Sequence, residues 1–208
     1  MLNISDKYLS AVIKGFFAGL FIGIGGFVFL SSPSKIIGAV LFSVGLFTIL
    51  NFKLNLFTGK ICYLIEKKNH IEVLLTLVGN FLGTLAIAGL LSLASPENIK
   101  EAAIILCEKK LEMNWWNPII LGFFCNVLIY LAVHGFNKFE SPINKFFAVI
   151  FGVVVFIICG FEHSIADMFY FFFAHEFSIY SFIFIALVLL GNSLGGIVSH
   201  LFLGGESL

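Results

Sequence analysis

Long apolar runs separated by short polar segments dominate this sequence of 208 residues. Each run approaches or exceeds the roughly 20 residues that an α-helix needs to cross the hydrocarbon core of a bilayer. Because 60% of the residues are hydrophobic and only 12% are charged, a water-soluble globule could not bury so much apolar surface. The sequence therefore predicts an all-α integral membrane protein with six transmembrane helices. The predicted spans lie at about 12–31, 36–65, 72–94, 115–136, 146–174 and 178–203.

The composition also bounds domains, partners and cofactors. The formal net charge is zero, so we expect no nucleic-acid partner. The cysteines show no C-x-x-C spacing, and we predict neither a metal site nor a cofactor. The first run lacks a cleavage pattern and is expected to be a retained helix. No linker divides the chain, so residues 1–208 are expected to form a single transmembrane domain in contact with membrane lipid.

The second and fifth runs are interrupted by polar residues. The segment NFKLN at 51–55 leaves a following apolar piece of ten residues, which is too short to cross a bilayer. In the fifth run, the motif EHSIAD at 162–167 separates a long apolar piece from a short one. Lipid cannot satisfy the backbone groups of a broken helix, so we expect both breaks to be buried or to line a cavity.

The two halves of the chain share patterns in the same order. GFFAG at 15–19 aligns with GFFCN at 122–126, an offset of 107 residues. The same offset places the break at 54–59 opposite residues 161–166. The two breaks therefore occupy corresponding positions.

A second pair of motifs extends this repeat. GNFLG at 79–83 aligns with GNSLG at 191–195. Each half, about 12–94 and 115–203, then holds three helices with the broken helix in the middle. An odd number of spans per half predicts an inverted repeat whose two breaks meet near the membrane midplane.

Two local patterns predict how helices pack and end. Glycines recur every four residues in three spans, which favours close helix packing in lipid. These glycines are Gly15, Gly19 and Gly23, then Gly79 and Gly83, then Gly191 and Gly195. After the third span, Ser95 as N-cap and Pro96 as the first helical residue predict a short surface helix.

The six runs carry, in order, GFFAGLFIGIGG, LFSVGLFTIL with NLFTG, GNFLGT, GFFCNVLIYLAV, CGFEHSIADMF and GNSLGG. Together these motifs resemble the formate/nitrite transporter family of small-anion channels over nearly the whole chain. The resemblance implies an aquaporin-like fold of six helices and a homopentamer with one pore in each protomer. It also implies a location in the bacterial inner membrane.

The resemblance further implies a set of pore residues. The pore and substrate-path residues would be His163, Thr58, Asn126, Asn192, Lys110, Asn55 and Glu162. The apolar constrictions would be Phe42 and Leu46 on the cytoplasmic side, and Leu56, Phe57 and Phe156 on the other. Two positions depart from the family pattern: Asn55 replaces a usual acid, and Asp167 replaces a usual asparagine. Lys53, inside the first break, has no counterpart that explains it.

The residues alone leave several roles open. His163 either meets the substrate or bridges the two breaks as a neutral imidazole. Glu162 is expected to accept hydrogen bonds that hold its break together. Asp167 lies four residues after His163 and could pair with it if both are helical. Thr58 is either a pore hydroxyl or bonded back to its own helix, and Lys110 either attracts anions or is solvated.

The predicted function is that of a channel or transporter for a small monovalent anion of the formate, nitrite or hydrosulfide type. Burying an isolated ion costs on the order of 20 kcal/mol by Born estimates, so a weak-acid anion could cross as the protonated acid. The alternative is a channel for water or a small neutral solute with the same architecture. The Asn-Pro-Ala motifs of such channels do not occur at the breaks, and no G-x-S-x-G or H-E-x-x-H motif indicates an enzyme.

Lysines predict the orientation, because cytoplasmic loops carry an excess of them. Cytoplasmic termini would place Lys7, Lys14, Lys67, Lys68, Lys138 and Lys145 inside. The lysines then outside would be Lys35, Lys100, Lys109 and Lys110. We therefore expect both termini in the cytoplasm.

Overall fold

Ten helices form the computed structural model, which describes residues 4–204. They are α1 (Ile4–Ser31), α2 (Lys35–Asn51), α3 (Phe57–Ile61), α4 (Leu64–Lys67), α5 (His70–Ser92), α6 (Glu97–Leu111), α7 (Asn117–Lys138), α8 (Pro142–Cys159), α9 (Ser164–Phe173) and α10 (Ile179–Leu203). By length and composition, α1, α5, α7, α8 and α10 could each cross a membrane. Helices α2 and α9 are shorter but also apolar. The prediction of an all-helical membrane protein is confirmed.

The segments predicted as the second and fifth spans are each divided into shorter helices. In the second, the chain leaves α2 after Asn51 and enters α3 at Phe57, with Lys53 in the left-handed region at φ 52°. In the fifth, α8 ends at Cys159 and α9 begins at Ser164. Both interruptions are therefore present.

The fifth-span break is displaced from its predicted position at 162–167. It lies at 160–163, and residues 164–167 form the first turn of α9. Gly160 causes this shift, because its left-handed φ of 70° ends α8. The N–H of Phe161 then donates to the Phe156 carbonyl at 2.9 Å, closing the C-terminal cap of α8.

Glycines bring two helix pairs into close backbone contact, α1 with α5 and α7 with α10. A Cβ at Gly79 would lie 2.8 Å from the backbone nitrogen of Phe16, and a Cβ at Gly191 would lie 2.9 Å from the carbonyl carbon of Ile119. Similar contacts are made by Gly15, Gly19, Gly83 and Gly195. The predicted packing role of these glycines is confirmed.

Helix α9 occupies the interior of the molecule. All ten of its residues are buried, and it packs against α1, α5, α6 and α10. The outer surface is apolar instead, with exposed side chains on α2 such as Ile36, Val40 and Phe47. A large exposed apolar surface is typical of a protein that contacts lipid or other protein chains.

The connecting helix α6 begins one residue later than predicted. Pro96 has an extended backbone and takes the N-cap position, and the helix starts at Glu97. The Ser95 hydroxyl instead donates to the Leu91 carbonyl at the end of α5. One face of α6 is buried, so the helix is not confined to the surface as predicted. That face carries Ile99, Ala103, Cys107 and Lys110.

Close packing at Gly79 can be tested by adding one methyl group. The Gly79→Ala variant should lower the free energy of unfolding by about 1–3 kcal/mol, because its Cβ overlaps the backbone of α1. Gly89 lies on the same helix, and its Cβ would have no neighbour within 4 Å. Gly89→Ala should therefore be neutral, or stabilising through helix propensity. Unfolding in detergent micelles would measure both; equal effects would contradict the packing role.

Candidate functional site

The two interruptions meet at a contact between His163 and Thr58. The His163 Nε2 atom lies 3.1 Å from Thr58 Oγ1, and both side chains are buried. These residues are 105 positions apart in the chain. Thr58 contacts the other break with its hydroxyl, so the interpretation that this group bonds back to its own helix is wrong.

The hydrogen bonds of His163 fix the tautomer of its ring. His163 is the N-cap of α9, and its Nδ1 accepts from the backbone N–H of Ala166 at 3.2 Å. A neutral imidazole that accepts at Nδ1 carries its proton at Nε2. Nε2–H therefore donates to the Thr58 hydroxyl, while Phe156 stacks on the ring at a centroid distance of 5.8 Å.

The predicted pairing of His163 with Asp167 is wrong. His163 precedes the first residue of α9, so its side chain does not follow the helical i, i+4 geometry. Only its backbone carbonyl contacts Asp167, by accepting from that residue's N–H at 2.9 Å. The Asp167 carboxylate contacts Lys110 instead, at 3.0 Å.

Asn192 holds the fifth-span break in place. Its Nδ2 donates to the carbonyls of Gly122 at 2.8 Å and Glu162 at 2.9 Å, and its Oδ1 accepts from the N–H of Ser164 at 2.9 Å. Backbone groups at a helix break have lost their helical partners and need others when buried. The side chain supplies two such bonds, and its third bond, to Gly122, joins the break to α7.

Asn80 makes the corresponding bonds at the second-span break. Its Nδ2 donates to the carbonyls of Gly15 at 2.8 Å and Asn55 at 2.9 Å, and its Oδ1 accepts from the N–H of Phe57 at 2.8 Å. Sequence reasoning missed Asn80 as a site residue, although it lies in the repeated GN-x-LG motif together with Asn192. That repeat was the signal that could have identified it.

Asn126, on α7, connects the second-span break to α10. Its Nδ2 donates to the carbonyls of Asn192 at 2.7 Å and Thr58 at 3.1 Å. The side chain is fully buried, and its Oδ1 has no hydrogen-bond partner. Asn126 thus ties α10 to the start of α3.

Lys110, Glu162 and Asp167 form a buried ion cluster beside the break. Lys110 Nζ contacts the Glu162 carboxylate and lies 3.0 Å from Asp167 Oδ1. Their exposed fractions are 6%, 4% and 1%, respectively. Burial alone would lower the pKa of Lys110, but the carboxylates of Asp167 and Glu162 raise that pKa above its ordinary value, so the amine stays charged.

This cluster corrects two interpretations of the sequence. Lys110 is not a solvated surface residue, because it lies on the buried face of α6. Glu162 uses its carboxylate to bind Lys110, and only its backbone carbonyl accepts the bond from Asn192. The signal for Lys110 was its spacing from Ile99, Ala103 and Cys107 on one face of α6.

Two cavities of about 250 Å³ each lie on either side of the central contact. We call the first the Lys53 cavity; its lining includes Lys53, Asn55, Leu46, Leu56, Gly59 and Lys67. We call the second the Lys110 cavity; its lining includes Lys110, Glu162, His163, Asp167, Phe42, Phe156, Lys35 and Lys109. Lys53, unexplained in the sequence, therefore belongs to a cavity wall.

The predicted constriction residues are grouped differently in the structure. Phe42 lies with Phe156, at a centroid distance of 6.0 Å, and both line the Lys110 cavity. Leu46 and Leu56 line the Lys53 cavity. The predicted pairings of Phe42 with Leu46 and of Leu56 with Phe156 are therefore wrong, because the two residues of each pair lie on opposite sides of the central contact. Phe57 is buried at the start of α3.

Among residues 4–204, no group of three or more His, Cys, Asp or Glu side chains is arranged to hold a metal ion. The polar groups of the site are the central His–Thr pair, the three asparagine amides and the lysine–carboxylate cluster. This arrangement can offer hydrogen bonds and charge to a small polar ligand.

Comparison with known proteins identifies related sequences and a related fold. The model of the formate/nitrite transporter family matches residues 3–203. "Formate channel FocA" of Haemophilus influenzae is 26% identical over 152 residues, covering 65% of this chain and 52% of that protein. "Uncharacterized transporter YrhG" of Bacillus subtilis is 28% identical over 183 residues, covering 77% and 69%. The chain thus spans about half the length of the first relative.

A solved structure shares the fold. The structure entitled "Pentameric formate channel with formate bound" superposes with a TM-score of 0.78 and 22% identity. The superposition covers 97% of this chain and 96% of that one. The helix arrangement described above is therefore the arrangement of that structure.

The role of the asparagine amides can be tested at Asn192. Asn192→Leu keeps a similar volume but leaves the Glu162 carbonyl and the Ser164 N–H without partners, and should lower the free energy of unfolding by about 2 kcal/mol or more. Ser193→Ala is the matched control, because Ser193 bonds only within its own helix, and should change stability by no more than about 0.5 kcal/mol. Thermal unfolding in detergent would compare them; a tolerated Asn192→Leu would contradict the role.

Proposed function

Since the chain belongs to the formate/nitrite transporter family, we propose that it conducts a small monovalent anion of the formate, nitrite or hydrosulfide type across a membrane. The observation that carries the proposal is the buried contact between His163 and Thr58, placed between two cavities. Members of the family are channels and transporters, so the chain is not an enzyme.

Basic side chains at both cavities support anion entry. Lys53 and Lys67 line one cavity, while Lys35 and Lys109 line the other beside Lys110. Cationic clefts with apolar walls raise the local concentration of small anions. An anion entering from either side would then reach the central contact through a cationic vestibule.

The region between the vestibules supports passage in neutral form. Phe42 and Phe156 narrow one side, and Leu46 and Leu56 narrow the other. Transferring a naked anion into such surroundings costs on the order of 20 kcal/mol by Born estimates. A weak-acid anion that takes up a proton in one vestibule and releases it in the other avoids most of this cost.

His163 and Thr58 are proposed to meet the substrate between these constrictions. The Nε2–H of His163 donates to Thr58, and the same proton can be donated to an oxygen or sulfur atom of the substrate. The Asn126 and Asn192 side chains act indirectly, because their amide groups bind backbone carbonyls and N–H groups. They keep the backbone of both breaks in position.

We propose that the architecture is an inverted repeat of six spans with an aquaporin-like course. The matching bonds of Asn80 and Asn192 support this, because the two amides bind corresponding residues, each within its own half. At an offset of 107, the partners of Asn80 and those of Asn192 correspond as Gly15 to Gly122, Asn55 to Glu162, and Phe57 to Ser164. The whole chain would then form one transmembrane domain.

The proposed orientation places both termini in the cytoplasm of a bacterium, with the protein in its inner membrane. The Lys53 cavity then faces the cytoplasm and the Lys110 cavity faces outward. Lys67, predicted inside, lines the first cavity, and Lys35, predicted outside, lines the second. The two lysine groups are thus on opposite sides of the central contact, as the orientation requires.

The proposed substrate class can be tested in proteoliposomes. We expect formate, nitrite or hydrosulfide to cross faster than acetate, lactate, chloride or water. His163→Leu removes the central donor and should reduce the flux about tenfold, since leaving a buried polar group of the substrate without its hydrogen bond costs ~1–3 kcal/mol. His70→Leu, at an exposed histidine that begins α5, should leave the flux unchanged. Selective water flux without anion flux would favour the neutral-solute channel.

A homopentamer is the proposed assembly, supported by the fold shared with the pentameric formate channel and by the apolar outer faces of the helices. Native mass spectrometry of the detergent-purified protein should then give five times the protomer mass of 23.0 kDa. A stable dimer or tetramer would refute this assembly. Flux per protomer would remain interpretable, because the proposed path lies within a single chain.

A further inference from the structure

We propose that Glu162 and Asp167 share one exchangeable proton, and that this acid group protonates weak-acid anions in the Lys110 cavity before they reach the constriction. The inference rests on the proposed function and deepens it by naming the source of the proton. It concerns two carboxylates that both contact Lys110 and line the cavity next to His163.

The charges of the cluster do not balance without such a proton. One ammonium group contacts two carboxylates, so full ionisation would leave a net charge of −1 on three groups that are each at least nine-tenths buried. An uncompensated buried charge is costly, and two carboxylates that share one site do not both ionise readily. A single proton on the carboxylate pair makes the cluster neutral.

Asp167 offers a place for that proton. Its Oδ1 lies 3.0 Å from Lys110 Nζ, whereas its Oδ2 is buried and has no hydrogen-bond partner. A bare carboxylate oxygen in such a position would lack any compensation for its lost hydration. A protonated Oδ2 is instead a hydroxyl group, and its proton can be donated to a ligand in the cavity that Asp167 lines.

His163 is a poor source of the same proton. Its Nδ1 accepts from the N–H of Ala166, and its Nε2 contacts Thr58. Protonation at Nδ1 would break the cap of α9 and place an unpaired charge on a buried side chain. The geometry thus separates two tasks: the carboxylate pair exchanges the proton, and His163 donates a hydrogen bond.

Other ionisable groups around Asp167 affect this exchange. The positive charge of Lys110 favours the ionised form of Asp167, and the negative charge of Glu162 favours its protonated form. The further groups that face Asp167 or line the same cavity are Cys107 on α6, Cys125 on α7, Tyr170 on α9, His163, Lys35 and Lys109.

The transfer itself is balanced in atoms and charge. The O–H bond of Asp167 breaks, and a new bond forms between that proton and an oxygen of the bound anion, or its sulfur in the case of hydrosulfide. The products are a neutral acid and an ionised Asp167. Water at the outer end of the cavity, where Lys35 and Lys109 are exposed, returns a proton to Asp167 for the next cycle.

The flux test uses the purified full-length protein in proteoliposomes. Asp167→Asn removes the exchangeable proton and leaves a neutral lysine–glutamate pair. Formate flux at neutral pH should fall about 100-fold or more, in keeping with the size of general-acid effects, and its pH dependence should flatten, whereas residual chloride flux should not fall. Glu108→Gln, at an exposed acid on α6, should match the wild type. Parallel loss of formate and chloride flux, or an unchanged pH profile, would overturn the proposal.

Infrared spectroscopy tests the proton without any transport. The wild type in lipid should show the C=O stretch of a protonated carboxyl group that disappears on alkalinisation. The band should be absent in Asp167→Asn and present in Glu108→Gln. Glu162→Gln is a second test if Asp167→Asn does not assemble. It leaves Asp167 as the one carboxylate beside Lys110, so Asp167 should be ionised and the band should be absent. A band that is missing from the wild type, or that persists in Asp167→Asn or Glu162→Gln, would overturn the proposal.

The two levels of inference can fail separately. If the protein shows the band but transports none of the proposed anions, the transport function is refuted and the proton site remains. If the protein transports formate selectively but shows no titrating band, the proton site is refuted and the transport function remains.

Discussion

The rest of the structure depends on satisfying backbone hydrogen bonds where two helices are interrupted inside an apolar protein. Neither lipid nor a hydrocarbon core can supply partners for the freed N–H and C=O groups. Here the partners are amide side chains, Asn80 for one break and Asn192 for the other, each placed on a neighbouring long helix. Glycines allow α5 to approach α1 closely and α10 to approach α7, and this brings each amide within reach of its break.

This support allows the two short helices to begin at the centre of the molecule. Thr58 lies in the first turn of α3 and His163 caps α9, so their contact is fixed by backbone geometry as well as by side-chain packing. A histidine held in one tautomer has a defined donor direction. The central pair is therefore set by a rigid frame, whereas the cavities on either side supply charge.

The sequence was sufficient to predict the helical membrane fold and both interruptions, because hydrophobic length and repeated motifs carry that information. The central position of His163 and Thr58 was implied by the family resemblance. The sequence was insufficient to predict the partner of Asp167 and the grouping of the constriction residues around the central contact. The exact turn at which α9 begins depends on Gly160, and one residue of displacement changes which side chains share a face. The partner of Asp167 lies on α6, far away in sequence, so no local spacing could indicate it. Family resemblance supplied the residues of the constriction but not the side of the central contact on which each lies.

Lys110 also has a consequence for the order in which the chain is assembled in the membrane. It is synthesised 52 residues before Glu162, at the junction between the two halves. Until the second half has been inserted, the ammonium group on α6 has no carboxylate partner and must remain in water or among lipid headgroups. Helix α6 also contacts α1 in the first half, but its interior contacts are complete only when α9 has arrived. Closing the ion cluster would then be a late step of biogenesis, which marks the point at which both halves are in place.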